Sequence, residues 1–169
     1  MTRIIKISNG IYILTVVIFL LDSFTNFDIK NQTLKNLVYF GLLIETPIIL
    51  LCNLFIIKEI KQKIIWNIVP IIFQTFIFVI NPMKIMFSVG AWQTQEILYE
   101  NAHLSFKTIE FQMQNKGAFG YNKRIVEVFY LTDFFTLSKE ISTAEIDKGL
   151  GIEWVKVNKE MNELQIKYP

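Results

Sequence analysis

Residues 34–57 read LKNLVYFGLLIETPIILLCNLFII, and past the opening Lys35 the one charge in that stretch is Glu45. A helix needs about 20 apolar residues to cross the hydrocarbon layer of a bilayer, and this stretch reaches that length unaided. Two more runs flank it: Ile11–Leu21, preceded by Met1-Thr-Arg-Ile-Ile-Lys, and Ile64–Ile80, which continues through Val89. Three such runs are too long and too apolar to hide in the core of a 169-residue soluble protein. The expected fold class is membrane α + β, with a three-helix transmembrane bundle followed by a small antiparallel β-rich extramembrane domain. The spans are expected at about residues 4–21, 34–57 and 64–89, within a transmembrane region 1–90. Residues 91–169 form the second domain.

The two halves differ in charge as well as in hydropathy. Residues 1–90 carry eight Lys+Arg against four Asp+Glu, while residues 91–169 carry nine against eleven. The first run could pass for a signal peptide, but Leu21-Asp22-Ser23-Phe24-Thr25 lacks a small-x-small cleavage pattern, so an anchor is expected. Arg3 and Lys6 precede the first span, and Lys58, Lys61 and Lys63 separate the second from the third. By the positive-inside rule both regions face the cytoplasm. The loop Asp22–Thr33 holds only Lys30, and the chain after the third span opens with Glu96 and Glu100. Both therefore face outward. The localisation expected is a bacterial inner membrane, with a cytoplasmic N-terminus and a periplasmic C-terminal domain.

Pro70 and Pro82 predict a bend and a second irregularity in the third span, with its helix ending around Gly90. Beyond it, Phe106–Gln114 alternates, with Ile109, Phe111 and Met113 on one side and Thr108, Glu110, Gln112 and Gln114 on the other. A glycine-bearing connection, residues 116–120, leads to the β-branched and aromatic strand Arg124–Leu131. Ile97–Tyr99, Phe134–Ile141, Ile152–Val157 and Glu163–Tyr168 are the further strands expected, and Thr143–Lys148 is a turn or a single helical turn.

Glu45 stands out chemically, about 16 Å along its helix from Leu34. An ionisable group at that depth marks a functional site or a protonated packing contact. Asn67, Gln74, Asn81 and Ser88 recur every seven residues and share one helical face, with Gln74 near the depth of Glu45 and Asn67 level with Asn53. Glu45, Asn53, Asn67 and Gln74 form the expected intramembrane polar cluster, joined by a stripe of Ser8, Tyr12, Thr15 and Asp22 on the first span. Asp22 and Lys84 are expected to pair at the outer interface. His103, Trp92 and Trp154 are the candidate interface residues, Trp92 and Tyr99 belonging to an aromatic belt at the outer boundary.

Several classes find no support. One cysteine, Cys52, permits no intramolecular disulfide, and with the single histidine it falls short of the four ligands of a structural zinc site. No metal and no cofactor is expected. No basic patch stands apart from the membrane topology, so no nucleic-acid partner is expected. Ser138 lacks a nucleophile elbow, Gly149-Leu-Gly151 is too little for a phosphate loop, and no catalytic constellation forms. The chain is read as a non-enzyme.

The segments Ile109-Glu-Phe-Gln-Met-Gln, Gly120-Tyr-Asn-Lys-Arg, Val126-Glu-Val, Leu131-Thr and Glu153-Trp-Val-Lys-Val resemble the tails of small uncharacterised membrane proteins of Bacteroidetes-type bacteria. That resemblance covers about half the chain, carries no assigned chemistry and implies a bacterial inner membrane. The leading expectation is an integral membrane protein displaying a small β domain for protein–protein interaction in the cell envelope, in an accessory, scaffold or immunity-type role. Its partners are the lipid bilayer and a protein partner or a second copy of itself. The alternative is a subunit of a transport or ion-handling complex using Glu45. Lipid chemistry at the outer interface by His103, Glu96 and Glu100 ranks last.

Overall fold

The computed structural model describes residues 3–87, 89–147 and 150–165, apart from the side chains of Lys84, Phe87, Ala118, Glu145 and Asp147. It divides into two compact units. Residues 1–23 and 36–89 form the first, and residues 24–35 and 90–169 the second. The expected boundary at residue 90 therefore omits the connection between the first two helices, which belongs with the carboxy-terminal part.

The first unit is helical: α1 (Arg3–Phe24), α2 (Gln32–Ile56), α3 (Ile60–Ile80) and the short α4 (Pro82–Phe87). The first three are long and apolar enough to cross a membrane, and only 28, 33 and 22% of their most apolar windows is buried. Ile4, Leu37, Ile44, Phe55, Ile72 and Val79 are among the large apolar side chains left exposed on them. A soluble bundle hides such surface; one solvated by lipid displays it. The bundle's own core is narrow. Phe19 packs edge-on against Tyr39, Phe73 and Phe76, with Tyr12, Val16, Leu42 and Ile77 also buried.

The third span departs from the expected 64–89 at both ends. It begins at Ile60, because Lys61, Gln62 and Lys63 favour helix and the Lys63 amide already bonds the Glu59 carbonyl. It ends at Ile80, where Asn81 adopts φ 79° and ψ 118°. Proline disfavours the helical conformation in the residue before it, and asparagine tolerates positive φ. The Asn81 side chain then accepts the Met83 amide at 3.0 Å and caps α4, whose first residue is Pro82. The irregularity expected at Asn81-Pro82 is thus a break between two helices. Gly90 is no helix terminus: a Cβ there would lie 2.3 Å from the Asn115 carbonyl oxygen, so only glycine permits that approach.

The second unit is a six-stranded antiparallel sheet in the order β1-β5-β4-β3-β2-β6. Its strands are β1 (Phe27–Ile29), β2 (Trp92–Asn101), β3 (Lys107–Asn115), β4 (Tyr121–Tyr130), β5 (Phe135–Glu140) and β6 (Trp154–Glu160), with the short helix α5 (Thr143–Asp147) between the last two. The β3–β4 ladder runs unbroken from Lys107↔Phe129 to Asn115↔Tyr121, and positive φ at Gly117 (63°) and Gly120 (83°) closes the hairpin.

Several strand expectations need correction. β1, unforeseen within the loop Asp22–Thr33, pairs with β5 at the edge of the sheet. β2 is longer than Ile97–Tyr99 and takes in Trp92 and Tyr99, which are strand residues of this sheet. Ile152 precedes the last strand in a turn. Glu163 and Leu164 are also a turn, since positive φ at Asn162 and Gln165 bends the chain away from a ladder. The rest of the strand expected there, residues 166–168, and Lys148 lie outside the described residues.

Candidate functional site

One face of the sheet is polar and closed. Cross-strand partners share a face, and on this one Thr108, Glu110, Gln112 and Gln114 of β3 are all buried. Glu110 is 0% exposed. Four donors converge on its carboxyl: Thr94 Oγ1 at 2.6 Å, Thr108 Oγ1 at 2.7 Å, Gln112 Nε2 at 3.0 Å and the Tyr130 hydroxyl at 2.5 Å. Burial, with the Glu110 charge adjoining, holds the Tyr130 phenol well above its usual range.

The same face ties β1 to the sheet. Arg124 donates to Asp28 at 2.7 Å in an ion pair whose side chains are 12% and 13% exposed, and to Gln112 at 2.8 and 3.0 Å. Ser138 donates to the same Asp28 oxygen. The Arg124 guanidinium lies 4.0 Å from the centre of the Trp92 ring. Lys30, just beyond β1, pairs with Glu163 at 3.0 Å and donates to the Tyr130 hydroxyl at 3.3 Å. Glu163 also accepts the Thr94 amide. These groups satisfy one another, which is a structural arrangement.

The opposite face is covered in part, where Ile29, Ile109 and Met113 are buried, and is open and aromatic over the rest. Phe27, Leu137 and Phe129 stand in one cross-strand row over β1, β5 and β4. Leu137 is 41% and Phe129 36% exposed, and Phe106, 41% exposed, packs edge-on against Phe129 with ring centres 4.8 Å apart. Lys107 sits opposite Phe129, bonds Glu127 at 2.7 Å and places its ammonium 5.1 Å from the Trp154 ring centre. A concavity of 280 Å³ beside this row is lined by Asn26, Lys107, Glu127, Phe129, Leu137 and Lys139, among others. Of the three candidate interface residues, Trp154 lies next to this surface. His103 is exposed in the turn after β2, its amide held by Asn101. Trp92 is under Arg124 on the closed face.

In the helical unit the polar residues divide differently. Asn53 exchanges two hydrogen bonds with Asn9, at 2.9 and 3.0 Å, and donates to the Trp66 carbonyl at 3.2 Å. Tyr12 and Thr46 share a hydrogen bond of 3.2 Å. Asn67 donates to the Lys63 carbonyl within its own helix, while its Oδ1 and the Gln74 Oε1 are buried with no partner. Glu45, half-buried, lines a 250 Å³ cleft with Ser8, Ile11, Ile48 and Ile49. Among the described residues its carboxyl has no hydrogen bond or ion pair. The expected cluster of four therefore does not assemble: Asn53 turns to Asn9 and Trp66, and Glu45 faces elsewhere. Asp22 accepts a 2.5 Å hydrogen bond from Tyr39; the Lys84 side chain expected to pair with it lies outside the described residues. No three His, Cys, Asp or Glu side chains among the described residues gather into a metal site.

Sequence reasoning missed Asn9 and the depth of Glu110. Asn9 belongs to the buried series Ile5, Asn9, Tyr12, Val16, Phe19, whose four- and three-residue steps mark one helical stripe. For Glu110 the signal was a strand face carrying Thr, Glu, Gln and Gln without a lysine or arginine. The chain matches no family model, no curated protein and no solved structure.

Proposed function

We propose that this chain is a three-span membrane protein of the cell envelope that presents its sheet to a protein partner through the open aromatic face. The observation that carries this reading is the row Phe27, Leu137 and Phe129 with Phe106 beside it, of which Leu137, Phe129 and Phe106 are exposed, on a sheet whose other face is sealed. Contiguous apolar surface with a polar rim, here Lys107, Glu127 and Lys139, is the composition of a docking site. Aromatic side chains supply large contact area there. The role is accessory, scaffolding or immunity-like, and it requires no catalysis.

Support for three crossings comes from β1. It hydrogen-bonds to β5, so the connection between α1 and α2 and the chain beyond α4 share one side of the bilayer. The pairing requires an even number of crossings between β1 and the rest of the sheet, which α2 and α3 supply, and α1, equally long and apolar, adds the third. Arg3 and Lys6 at the start of α1, with Lys58, Lys61 and Lys63 around the α2–α3 connection, support by the positive-inside rule a sheet on the periplasmic side of a bacterial inner membrane.

The test is affinity purification of the full-length protein from membranes in mild detergent, beside Phe129→Ser and Leu137→Ser. A stoichiometric companion protein with the wild type, reduced at least tenfold with either variant, is the expected result. A companion retained equally by both variants, or none with the wild type, would overturn the reading. Both substitutions are at half-exposed positions and should cost the sheet no more than about 1 kcal/mol.

A further inference from the structure

We infer that the α1–α2 cleft around Glu45 is the contact between two copies of this chain within the membrane. This rests on the three-crossing reading above and adds an occupant for a surface that reading leaves bare. Glu45 is near the middle of α2, which runs from Gln32 to Ile56. An ionisable group at that depth is costly unless another helix offers it a hydrogen bond. Its own bundle offers none: Asn9 and Asn53 are spent on each other, and Tyr12 on Thr46. The carboxyl instead lies back along its own helix, where a Cβ on Gly41, one turn earlier, would be 3.9 Å from its Oε1.

The occupant follows from the lining. Ser8, Ile11, Glu45, Ile48 and Ile49 provide one hydroxyl donor, one carboxyl and three isoleucines. Such a set is complementary to itself. A two-fold axis through the cleft brings each carboxyl to the hydroxyl or the carboxyl of the other copy, and the isoleucines pack around them. Gly41 removes side-chain bulk beside the carboxyl, as small residues do where membrane helices approach closely. An ion or a small solute would need more than one polar wall, and the rest of this cleft is isoleucine.

The experiment is thiol crosslinking in native membranes, with Ile48→Cys in a Cys52→Ser background and a short bifunctional reagent. Ile48→Cys should give a dimer band, and Val79→Cys on α3, at a position 80% exposed, should give none. Adding Glu45→Gln should leave the Ile48 band, because the amide keeps both donor and acceptor; adding Glu45→Leu should reduce it at least tenfold. Counting fluorophore-labelled subunits in lipid bilayers should give two for the wild type and for Glu45→Gln, and one for Glu45→Leu. Monomers of wild type, or a Glu45→Leu band equal to wild type, would overturn the inference and leave the three-crossing reading standing. Release of the protein from membranes by alkaline carbonate would sink both.

Discussion

Glu110 and Glu45 are the same side chain treated in opposite ways by the two units of this molecule. In the sheet, Glu110 is completely buried and accepts four hydrogen bonds from neutral donors on three strands. In the bundle, Glu45 is half-buried in a cleft lined by Ser8, Ile11, Ile48 and Ile49, and among the described residues its carboxyl has no hydrogen bond. Buried polar groups are stabilising when fully satisfied and costly when they are not. The sheet has therefore closed its polar chemistry on itself, whereas among the described residues the bundle has left the Glu45 carboxyl without a hydrogen bond and the Asn67 and Gln74 side-chain oxygens without partners. One unit is complete as a single copy. The other leaves polar groups unsatisfied, which is the ground for the proposed contact between two copies.

Removing Glu110 should produce the largest effect, because Glu110→Ala strands four buried donors. We expect a loss of about 3 kcal/mol or more, read from chemical unfolding of the full chain in detergent. Glu45→Ala, measured alongside, should change protomer stability by no more than about 0.5 kcal/mol; equal losses from the two would erase the contrast. Arg124→Ala leaves Asp28 buried without its cation and should cost about 3 kcal/mol. It should also release the edge strand, seen as faster hydrogen exchange at the Phe27–Ile29 amides than at β3.

Tyr130→Phe removes one donor from Glu110 and should cost about 1–2 kcal/mol near neutral pH. Its pH dependence has a definite sign. The folded state holds the phenolic proton more tightly than the unfolded chain, whose ordinary value is 10.0. That contribution is whole below pH 10 and is lost as pH climbs from there toward the folded value. Wild-type stability should fall above about pH 10, and Tyr130→Phe should flatten this limb; an unchanged limb would contradict the placement of Tyr130 beside Glu110. Asn53→Leu in the bundle should cost less than the three sheet substitutions, about 1 kcal/mol, since hydrogen bonds between membrane helices contribute little each. Thermal unfolding in lipid nanodiscs would measure it.

How much was legible in the sequence depends on the range of the contact. The three apolar helices and the β3 alternation are local periodicities, and residues 34–57 and 106–114 display them openly. β1 is three residues long and gains its identity from β5, more than 100 residues away, so nothing local marks it. For β3, the period separates Ile109, Phe111 and Met113 from Thr108, Glu110 and Gln112, but a period assigns faces without saying which one is covered. Here the polar face is sealed and Ile109 and Met113 on the other side of β3 are buried as well, while Phe129 and Leu137 on that second face stand in the open. α1 is apolar all round, which hides the stripe on which Asn9 lies. Helical spacing aligned Asn67 and Gln74 correctly on one face, yet which neighbour Asn53 meets depends on how the helices cross. The sequence carries no such angle.

The most direct test of the account is the sidedness of three single cysteines in a Cys52→Ser background: Asn26→Cys before β1, Phe119→Cys in the β3–β4 turn and Lys61→Cys in the first turn of α3. A membrane-impermeant thiol reagent applied to intact spheroplasts should label Asn26→Cys and Phe119→Cys alike, and reach Lys61→Cys only after the membrane is opened. Labelling of Asn26→Cys and Phe119→Cys from opposite sides, or of all three from outside, would contradict three crossings and a shared side for β1 and the sheet.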